Sequence, residues 1–289
     1  MSENPQFFLS GFADEAGIMI DEQIRVLKIN GIKAIELRSV NGQSIMATSE
    51  AEKADIRALL RQHGFVVSSI GSPVGKSLIT QDFAIEQARL LRALDTAVFF
   101  ESQYVRVFSF YIPEGEVPER YREEVLRRMG LMTEMAAEKG IILALENESG
   151  IYTDIPERCL EVMEAIPSSH LQMAFDSGNF IMNRAEPYPM AYQLLRERIA
   201  YFHIKDAAPG EKHFLPAGQG CGRIGEMLQE AYAEGFNGWL SLEPHLKYRS
   251  ELNTAQQFTT AANALKAVLR CQLGTELAPV SLEGVESYD

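Results

Sequence analysis

The segment ILALEN (residues 142–147) is a short apolar run that ends on a carboxylate, and three later segments repeat this arrangement. They read MAFDS (173–177), YFHIKD (201–206) and WLSLEPH (239–245). The residues at the four ends are Glu146, Asp176, His203 and Glu243. Successive ends lie about 30, 27 and 40 residues apart, which is roughly one strand plus one helix each time. The segment and its repeats therefore predict successive β/α units.

The same alternation of strand and helix extends over most of the chain. Eight strand candidates lie at 7–12, 34–39, 66–71, 104–110, 141–146, 171–176, 200–205 and 239–244. Most of them are apolar on both faces, as parallel strands are. The clearest helix runs over 119–139, with apolar residues at helical spacing on one face. We predict an α/β protein with a single (β/α)8 TIM-barrel domain over 1–274 and an irregular tail over 275–289. A doubly wound open sheet is the alternative.

Composition and charge narrow the function classes. The chain has 289 residues, 46% of them hydrophobic and 23% charged, as is typical of a globular protein. Its net charge of −13 disfavours a nucleic-acid partner, which requires clustered Lys and Arg. Neither a secretory signal nor an apolar stretch of about 18 residues is recognisable, so no membrane partner is expected. Three scattered cysteines suggest no disulfide framework, and we expect a cytoplasmic protein that forms a homo-oligomer.

The four polar strand ends predict a metal site. In a (β/α)8 barrel, residues at the carboxyl ends of the strands face one mouth. Three carboxylates and an imidazole at one point repel one another unless a cation lies between them. We therefore predict one divalent ion held by Glu146, Asp176, His203 and Glu243. This oxygen-rich set suits Mn²⁺, Mg²⁺ or Co²⁺, with Zn²⁺ as an alternative. Glu148 is the rival ligand to Glu146.

The motifs ALEN, FDSGN, HIKD and SLEPH place the chain in a wider context. At these residues it resembles the xylose-isomerase-like superfamily of sugar phosphate isomerases and epimerases, which also contains the type-IV endonucleases. The resemblance covers residues 7–270 and implies that the four ligands hold one ion while Glu146 and Glu243 form an acid/base pair. The endonucleases carry additional histidines. Here one of those positions is Asn179, and the whole chain has 5 histidines, which disfavours DNA repair.

The expected chemistry is proton transfer on a small carbohydrate. One glutamate takes the proton alpha to a carbonyl and the other returns it, through a metal-stabilised ene-diolate. This mechanism predicts a sugar or sugar-phosphate isomerase or epimerase. A dehydratase or lyase acting on a keto-sugar or keto-polyol is an alternative, and a noncatalytic sugar-binding barrel subunit is another. The predicted substrate contacts are Glu36, Asn179, Lys205 and His213.

One further motif is misleading. Gly220, Gly222 and Gly225 spell GxGxxG, but no strand directly precedes them, so a dinucleotide fingerprint is not predicted. The same loop, which follows the seventh strand, could present backbone N–H groups to the phosphate of a sugar phosphate.

Overall fold

The computed structural model describes residues 6–274, so the predicted tail at 275–289 lies outside the described residues. Eight parallel strands form one sheet: β1 (Gln6–Gly11), β2 (Ala34–Leu37), β3 (Val66–Gly71), β4 (Tyr104–Val107), β5 (Ile142–Glu146), β6 (Leu171–Asp176), β7 (Ile199–Ile204) and β8 (Asn237–Leu242). Their hydrogen-bonded order is β1-β8-β7-β6-β5-β4-β3-β2, and β1 also contacts β2. The sheet is therefore a nearly closed barrel, and the prediction of a TIM barrel is confirmed.

Helices connect the strands and cover the outside of the barrel. They are α1 (Ile20–Ile29), α2 (Glu50–Gln62), α3 (Phe83–Phe99), α4 (Arg122–Glu138), α5 (Pro156–Ala165), α6 (Ser177–Met182), α7 (Tyr192–Leu195), α8 (Ile224–Ala233) and α9 (Thr254–Leu273). Helix α2 begins with a capping box formed by Ser49 and Glu52. Gly64 and Gly235 follow α2 and α8 with φ of +70° and +89°, the left-handed conformation that ends a helix. Within residues 6–274, no helix has the length and apolar character needed to cross a bilayer.

Side-chain alternation in the strands separates the barrel interior from the layer under the helices. Ala144, Ala174 and Tyr201 pack together, with Tyr104 and Trp239 against them. Their neighbours along the strands belong to the large apolar cluster shared with the helices: Leu143, Leu145, Met173, Phe175 and Phe202. Residues two positions beyond the interior cluster share its parity, so they point into the barrel at its carboxyl end.

A polar layer fills the barrel below that end. The Ser10 and Ser68 hydroxyl oxygens lie 2.6 Å apart across the interior, and the Ser68 hydroxyl lies 2.8 Å from the Tyr201 hydroxyl. All three residues are fully buried or nearly so. This layer fills the lower part of the barrel with side chains, as is typical of (β/α)8 barrels.

Two predicted elements differ in detail. The fourth strand was expected to continue to residue 110 but ends at Val107. Beyond it, the Phe108 and Phe110 N–H groups donate to the Val74 and Gly75 carbonyls in the loop after β3, at 2.8 and 3.0 Å. The predicted helix over 119–139 begins with a 3-10 turn (Pro118–Tyr121) before α4. The open-sheet alternative is wrong, because β1 pairs with β8 along its whole length and also contacts β2 at the other end of the sheet.

Candidate metal centre

The four predicted ligands meet at the mouth of the barrel. One donor atom from each of Glu146, Asp176, His203 and Glu243 can be chosen so that all lie within 4.8 Å of one another. All four residues are buried, with at most 3% of their surface exposed. Glu148 instead pairs with Lys76 at 2.9 Å, so the structure brings Glu146 rather than Glu148 into the cluster.

The donor atoms fit a divalent metal ion. Among the described residues, Asp176 Oδ2 and His203 Nδ1 are buried side-chain atoms that make no hydrogen bond of acceptable geometry. Each lies 3.0 Å from a charged neighbour, Lys205 Nζ for Asp176 and Glu146 Oε1 for His203, but in directions unsuited to a hydrogen bond. A buried polar atom left in this state is unfavourable. Carboxylate oxygens and an imidazole nitrogen are ordinary ligands of Mn²⁺, Mg²⁺ and Zn²⁺, so a metal ion here would satisfy both orphaned atoms.

The charges in the cluster shift the pKa of every ligand. Burial would raise the pKa of Glu146, but the His203 ring, Arg106 and Lys205 hold that pKa well below its usual range. Burial raises the pKa of Asp176 to about 7, against the opposing charge of Lys205. Burial would lower the pKa of His203, yet the carboxylates of Glu146 and Glu36 raise it to about 10. Without a metal, the cluster therefore favours protonated His203 beside ionised Glu146.

Two arginines from the opposite half of the barrel hold the outer oxygens of the glutamates. Arg106, from β4, is 5% exposed and donates to Glu146 Oε2 at 2.7 Å. Arg38 follows β2 and donates to Glu243 Oε1 at 3.2 Å, while it also pairs with Asp14 at 2.8 Å. Arg106 was not predicted as a site residue. The available signal was an arginine inside an otherwise apolar strand, which requires a buried partner.

Two predicted substrate contacts lie against the cluster. Glu36 is 1% exposed. Its Oε2 accepts a hydrogen bond from the Ser241 hydroxyl at 2.6 Å and lies 3.2 Å from His203 Nε2. The Asn179 amide donates to Glu146 Oε1 at 3.3 Å and to the Asn147 carbonyl at 2.8 Å. Both side chains are buried and contact cluster residues, and the prediction that they contact a substrate stays a prediction.

The other two predicted contacts have different surroundings. Lys205 lies within the cluster: its Nζ is 3.0 Å from Asp176 Oδ2 and 3.7 Å from Glu146 Oε1, and it makes a short ion pair with Glu243. His213 lies in the loop after β7, with its ring stacked on Tyr248 at 3.9 Å between centroids and its side chain 35% exposed. The prediction that His213 contacts a substrate stays a prediction.

Aromatic rings surround the charged groups. The Phe12 ring packs edge-on to His203 at 5.3 Å and lies under the Arg38 guanidinium at 4.4 Å. Phe108 lies 4.6 Å from the Arg106 guanidinium, and Phe214 lies 4.8 Å from Lys205 Nζ. These phenylalanines were not predicted, because an apolar residue just beyond a strand is indistinguishable in sequence from a core residue. They give the polar site an apolar wall suited to the carbon skeleton of a small ligand.

In the glycine-rich loop after β7, the Asp206 carboxylate accepts hydrogen bonds from several backbone N–H groups. Asp206 Oδ1 accepts hydrogen bonds from the N–H groups of Ala207 and Gly222 at 2.9 and 2.8 Å, and its Oδ2 accepts from Gly218 and Gly220 at 2.9 and 3.0 Å. A Cβ on Gly220 would lie 2.2 Å from the Ala207 carbonyl oxygen, so this close approach requires glycine. The Gly220 and Gly222 N–H groups, which the sequence offers to a phosphate, therefore already have Asp206 as their acceptor, and phosphate binding by this loop stays a prediction.

Comparison with known proteins agrees with this architecture. The chain is similar to a 3-dehydroshikimate dehydratase of Bacillus anthracis, with 23% identity over 185 residues. That match covers 63% of this chain and 64% of the dehydratase, so it spans less than two thirds of the relative.

Two solved structures share the fold at low sequence identity. The IOLI protein with a bound zinc atom superposes with a TM-score of 0.76 at 14% identity, covering 93% of this chain and 100% of that one. A D-psicose 3-epimerase determined in the presence of D-fructose superposes with a TM-score of 0.69 at 16% identity, covering 93% of this chain and 100% of that one.

The family described as xylose isomerase-like TIM barrel matches residues 24–268. The chain belongs to the xylose isomerase-like TIM barrel family.

Proposed function

We propose that this protein is a divalent-metal-dependent isomerase or epimerase that acts on a sugar or sugar-phosphate by proton transfer between Glu146 and Glu243. One observation carries the proposal: two buried glutamates reach the same donor cluster from β5 and from the end of β8, together with Asp176 and His203. A noncatalytic sugar-binding barrel has no need to bury three carboxylates at one point. The capture of the glycine-loop N–H groups by Asp206 favours an unphosphorylated sugar.

The two glutamates are suited to opposite roles in proton transfer. Nearby cations hold the pKa of each well below its usual range against the effect of burial, so each is ionised and able to accept a proton. Arg106 fixes Glu146 Oε2, which leaves Oε1 directed at the cluster. One glutamate removes the proton alpha to the carbonyl. The other glutamate takes up a proton from water and donates it, either to the opposite face of the carbon or to the neighbouring carbon. The first outcome is epimerisation and the second is isomerisation.

A bound divalent ion, held by Glu146, Asp176, His203 and Glu243, would supply electrostatic stabilisation of the negative charge that develops on the substrate oxygens. Neighbouring side chains hold three of these ligands, Glu146, Asp176 and His203, in position. Asn179 donates its amide to Glu146, and its backbone N–H donates to Asp176 Oδ1 at 2.8 Å. Glu36 lies against His203 Nε2. These contacts limit the motion of the ligands, which favours rapid proton transfer at a fixed distance.

A dehydratase acting on a keto-polyol is the second candidate, and it is favoured by the similarity to the Bacillus anthracis dehydratase. The reaction begins with the same removal of an alpha proton and then loses a β-hydroxyl group. The Lys205 ammonium, which lies against Glu243 and Asp176, is a proton donor of the kind that a departing hydroxyl requires.

Deuterium incorporation distinguishes these reactions. The protein, reloaded separately with Mn²⁺, Co²⁺, Mg²⁺ or Zn²⁺, is incubated in D₂O with D-fructose, D-psicose, D-tagatose and 3-dehydroshikimate. NMR and mass spectrometry then follow deuterium at carbon and loss of water. Deuterated sugar without loss of water supports the isomerase or epimerase, and loss of water supports the dehydratase. The control is Glu243→Gln, which should do neither. Failure of every substrate with every metal in the folded wild type would contradict the proposal within this substrate set.

A further inference from the structure

The ammonium group of Lys205 lies where the metal ligands converge. Its Nζ is 3.0 Å from Asp176 Oδ2 and 3.7 Å from Glu146 Oε1, and it forms a short ion pair with Glu243 Oε2. The residue is 3% exposed. We propose that Lys205 is an internal cation that occupies the ligand cluster in the absence of metal, and that metal binding displaces its ammonium group toward the mouth. This inference rests on the metal site of the proposed function.

The two oxygens of each glutamate are divided between different cations. Arg106 binds Glu146 through Oε2, and Arg38 binds Glu243 through Oε1. Lys205 instead faces Glu146 Oε1 and Glu243 Oε2, the oxygens on the cluster side. A metal ion can therefore bind while both arginines keep their partners. Of these three cations, Lys205 alone uses the oxygens that the metal requires.

The distance from Lys205 Nζ to Asp176 Oδ2 is that of an ion pair. Charged N–H···O contacts are about 2.7–2.9 Å long, whereas Mg²⁺ and Zn²⁺ bind oxygen at about 2.0–2.2 Å. The 3.0 Å separation of Lys205 Nζ and Asp176 Oδ2 is close to the first range. A metal ion would compete with Lys205 for the same glutamate oxygens, and charges about 4 Å apart in a poorly solvated site repel by several kcal/mol. Metal entry and the departure of Lys205 are therefore coupled.

An aromatic surface lies beside the Lys205 side chain. Gly178 leaves room for the lysine stem in its observed position, since a Cβ there would lie 3.0 Å from Lys205 Cγ. The Phe214 ring has its centroid 4.8 Å from Nζ and can hold the ammonium by a cation–π contact. A lysine has a flexible four-carbon stem, so its head can move without any change in the barrel. The protein thereby neutralises its buried carboxylates both before and after metal binding.

The test compares Lys205→Met, which keeps the stem and removes the charge, with Lys76→Met. Lys76 pairs with Glu148 at 2.9 Å and is the matched control. Titration calorimetry of chelator-treated proteins with Mn²⁺, and with Co²⁺, Mg²⁺ and Zn²⁺ in parallel, gives the dissociation constants. Thermal melting in chelator gives the stability of the metal-free forms. We expect Lys205→Met to bind Mn²⁺ about 10-fold more tightly, the scale of a typical coupling between two sites. It should melt at a lower temperature without metal and recover when metal is added, while Lys76→Met matches the wild type.

Each outcome separates this inference from the proposed function. If the wild type binds metal and Lys205→Met binds it no more tightly, the displacement is wrong and the metal site stands. If the variant binds metal and the wild type does not, the inference is supported in its strongest form. If neither binds any of the four ions, the inference and the metal-dependent function are both overturned.

A measurement on the wild type covers the case in which Lys205→Met does not fold. Acetic anhydride modifies exposed lysines, and peptide mass spectrometry reports the extent at each position. We expect Lys205 to be modified faster with Mn²⁺ than without it, relative to Lys76 in the same sample. An unchanged ratio would overturn the displacement.

Discussion

The two halves of the barrel mouth contribute different side chains to the site. The half built from β5–β8 presents the acidic and imidazole ligands, Glu146, Asp176, His203 and Glu243. The half built from β1–β4 presents Arg38 and Arg106, beside the rings of Phe12 and Phe108. Each arginine reaches across to the outer oxygen of a glutamate in the other half. The difference teaches that the buried ligands take counter-charges from both halves, the two arginines from one and Lys205 from the other, so that the two halves form one site.

The largest expected effect is in the ligand half. Glu146→Gln or Glu243→Gln keeps the shape of the side chain and removes the base, so we expect turnover to fall about 10³-fold, within the range for a lost general acid or base. The readout is the rate of deuterium incorporation into the sugar that proves active. Glu148→Gln is the matched control, since Glu148 pairs with Lys76 at the rim. An equal loss in Glu148→Gln would contradict the assignment of Glu146.

The cation half should affect stability more than chemistry. Arg106→Met leaves Glu146 buried without its 2.7 Å partner, and breaking such a pair lowers the free energy of unfolding by about 3–5 kcal/mol. Chemical denaturation measures this change. The exposed pair of Arg120 and Glu116 gives the control, because Arg120→Met should leave the free energy of unfolding nearly unchanged. Adding Glu146→Gln to Arg106→Met should recover part of the loss, and further loss in the double variant would contradict the pairing.

Glu36 joins the two halves from below. It lies within β2, and its side chain contacts His203 of β7. Glu36→Gln keeps an acceptor for the Ser241 hydroxyl and weakens the hold on the imidazole, so we expect metal affinity to fall about 10–100-fold. Titration calorimetry with Mn²⁺ measures it, with the exposed Glu50→Gln as the control. Unchanged affinity in Glu36→Gln would assign Glu36 a purely structural role.

The smallest effect concerns the loop that frames the ligand half. A Cβ on Gly222 would lie 2.8 Å from Asp206 Oδ1. Gly222→Ala should therefore disturb the hydrogen bonds between the Asp206 carboxylate and the loop N–H groups, and lower the free energy of unfolding by about 1–3 kcal/mol. Gly130→Ala is the control of opposite sign, because Gly130 is within α4 and has nothing within 4 Å of a Cβ. Equal stability of Gly222→Ala and the wild type in thermal melting would show that the loop around Asp206 can shift to accommodate the added methyl group.

The ligand half was predictable from the sequence and the cation half was not. Each ligand is a polar residue at or near the end of an apolar run, so strand parity and the β/α repeat sufficed to place it. Arg106 lies inside a strand, and its place in the site depends on its ion pair with Glu146, which is 40 residues away in the chain. The central position of Lys205 and the capture of glycine N–H groups by Asp206 depend on side-chain conformations that no local pattern specifies. The predicted strand bounds lie within three residues of the observed ones, because the same apolar runs mark both the strands and the ligands at their ends.

Metal content tests the central claim most directly. The wild type and Glu243→Gln are treated with chelator, reloaded with Mn²⁺, Co²⁺, Mg²⁺ or Zn²⁺, dialysed and analysed by elemental mass spectrometry. The shared site predicts about one equivalent of metal in the wild type and a large reduction in the variant, since Glu243 is one of four ligands. Circular dichroism checks that both remain folded. A wild type that retains no more metal than Glu243→Gln would contradict the metal centre.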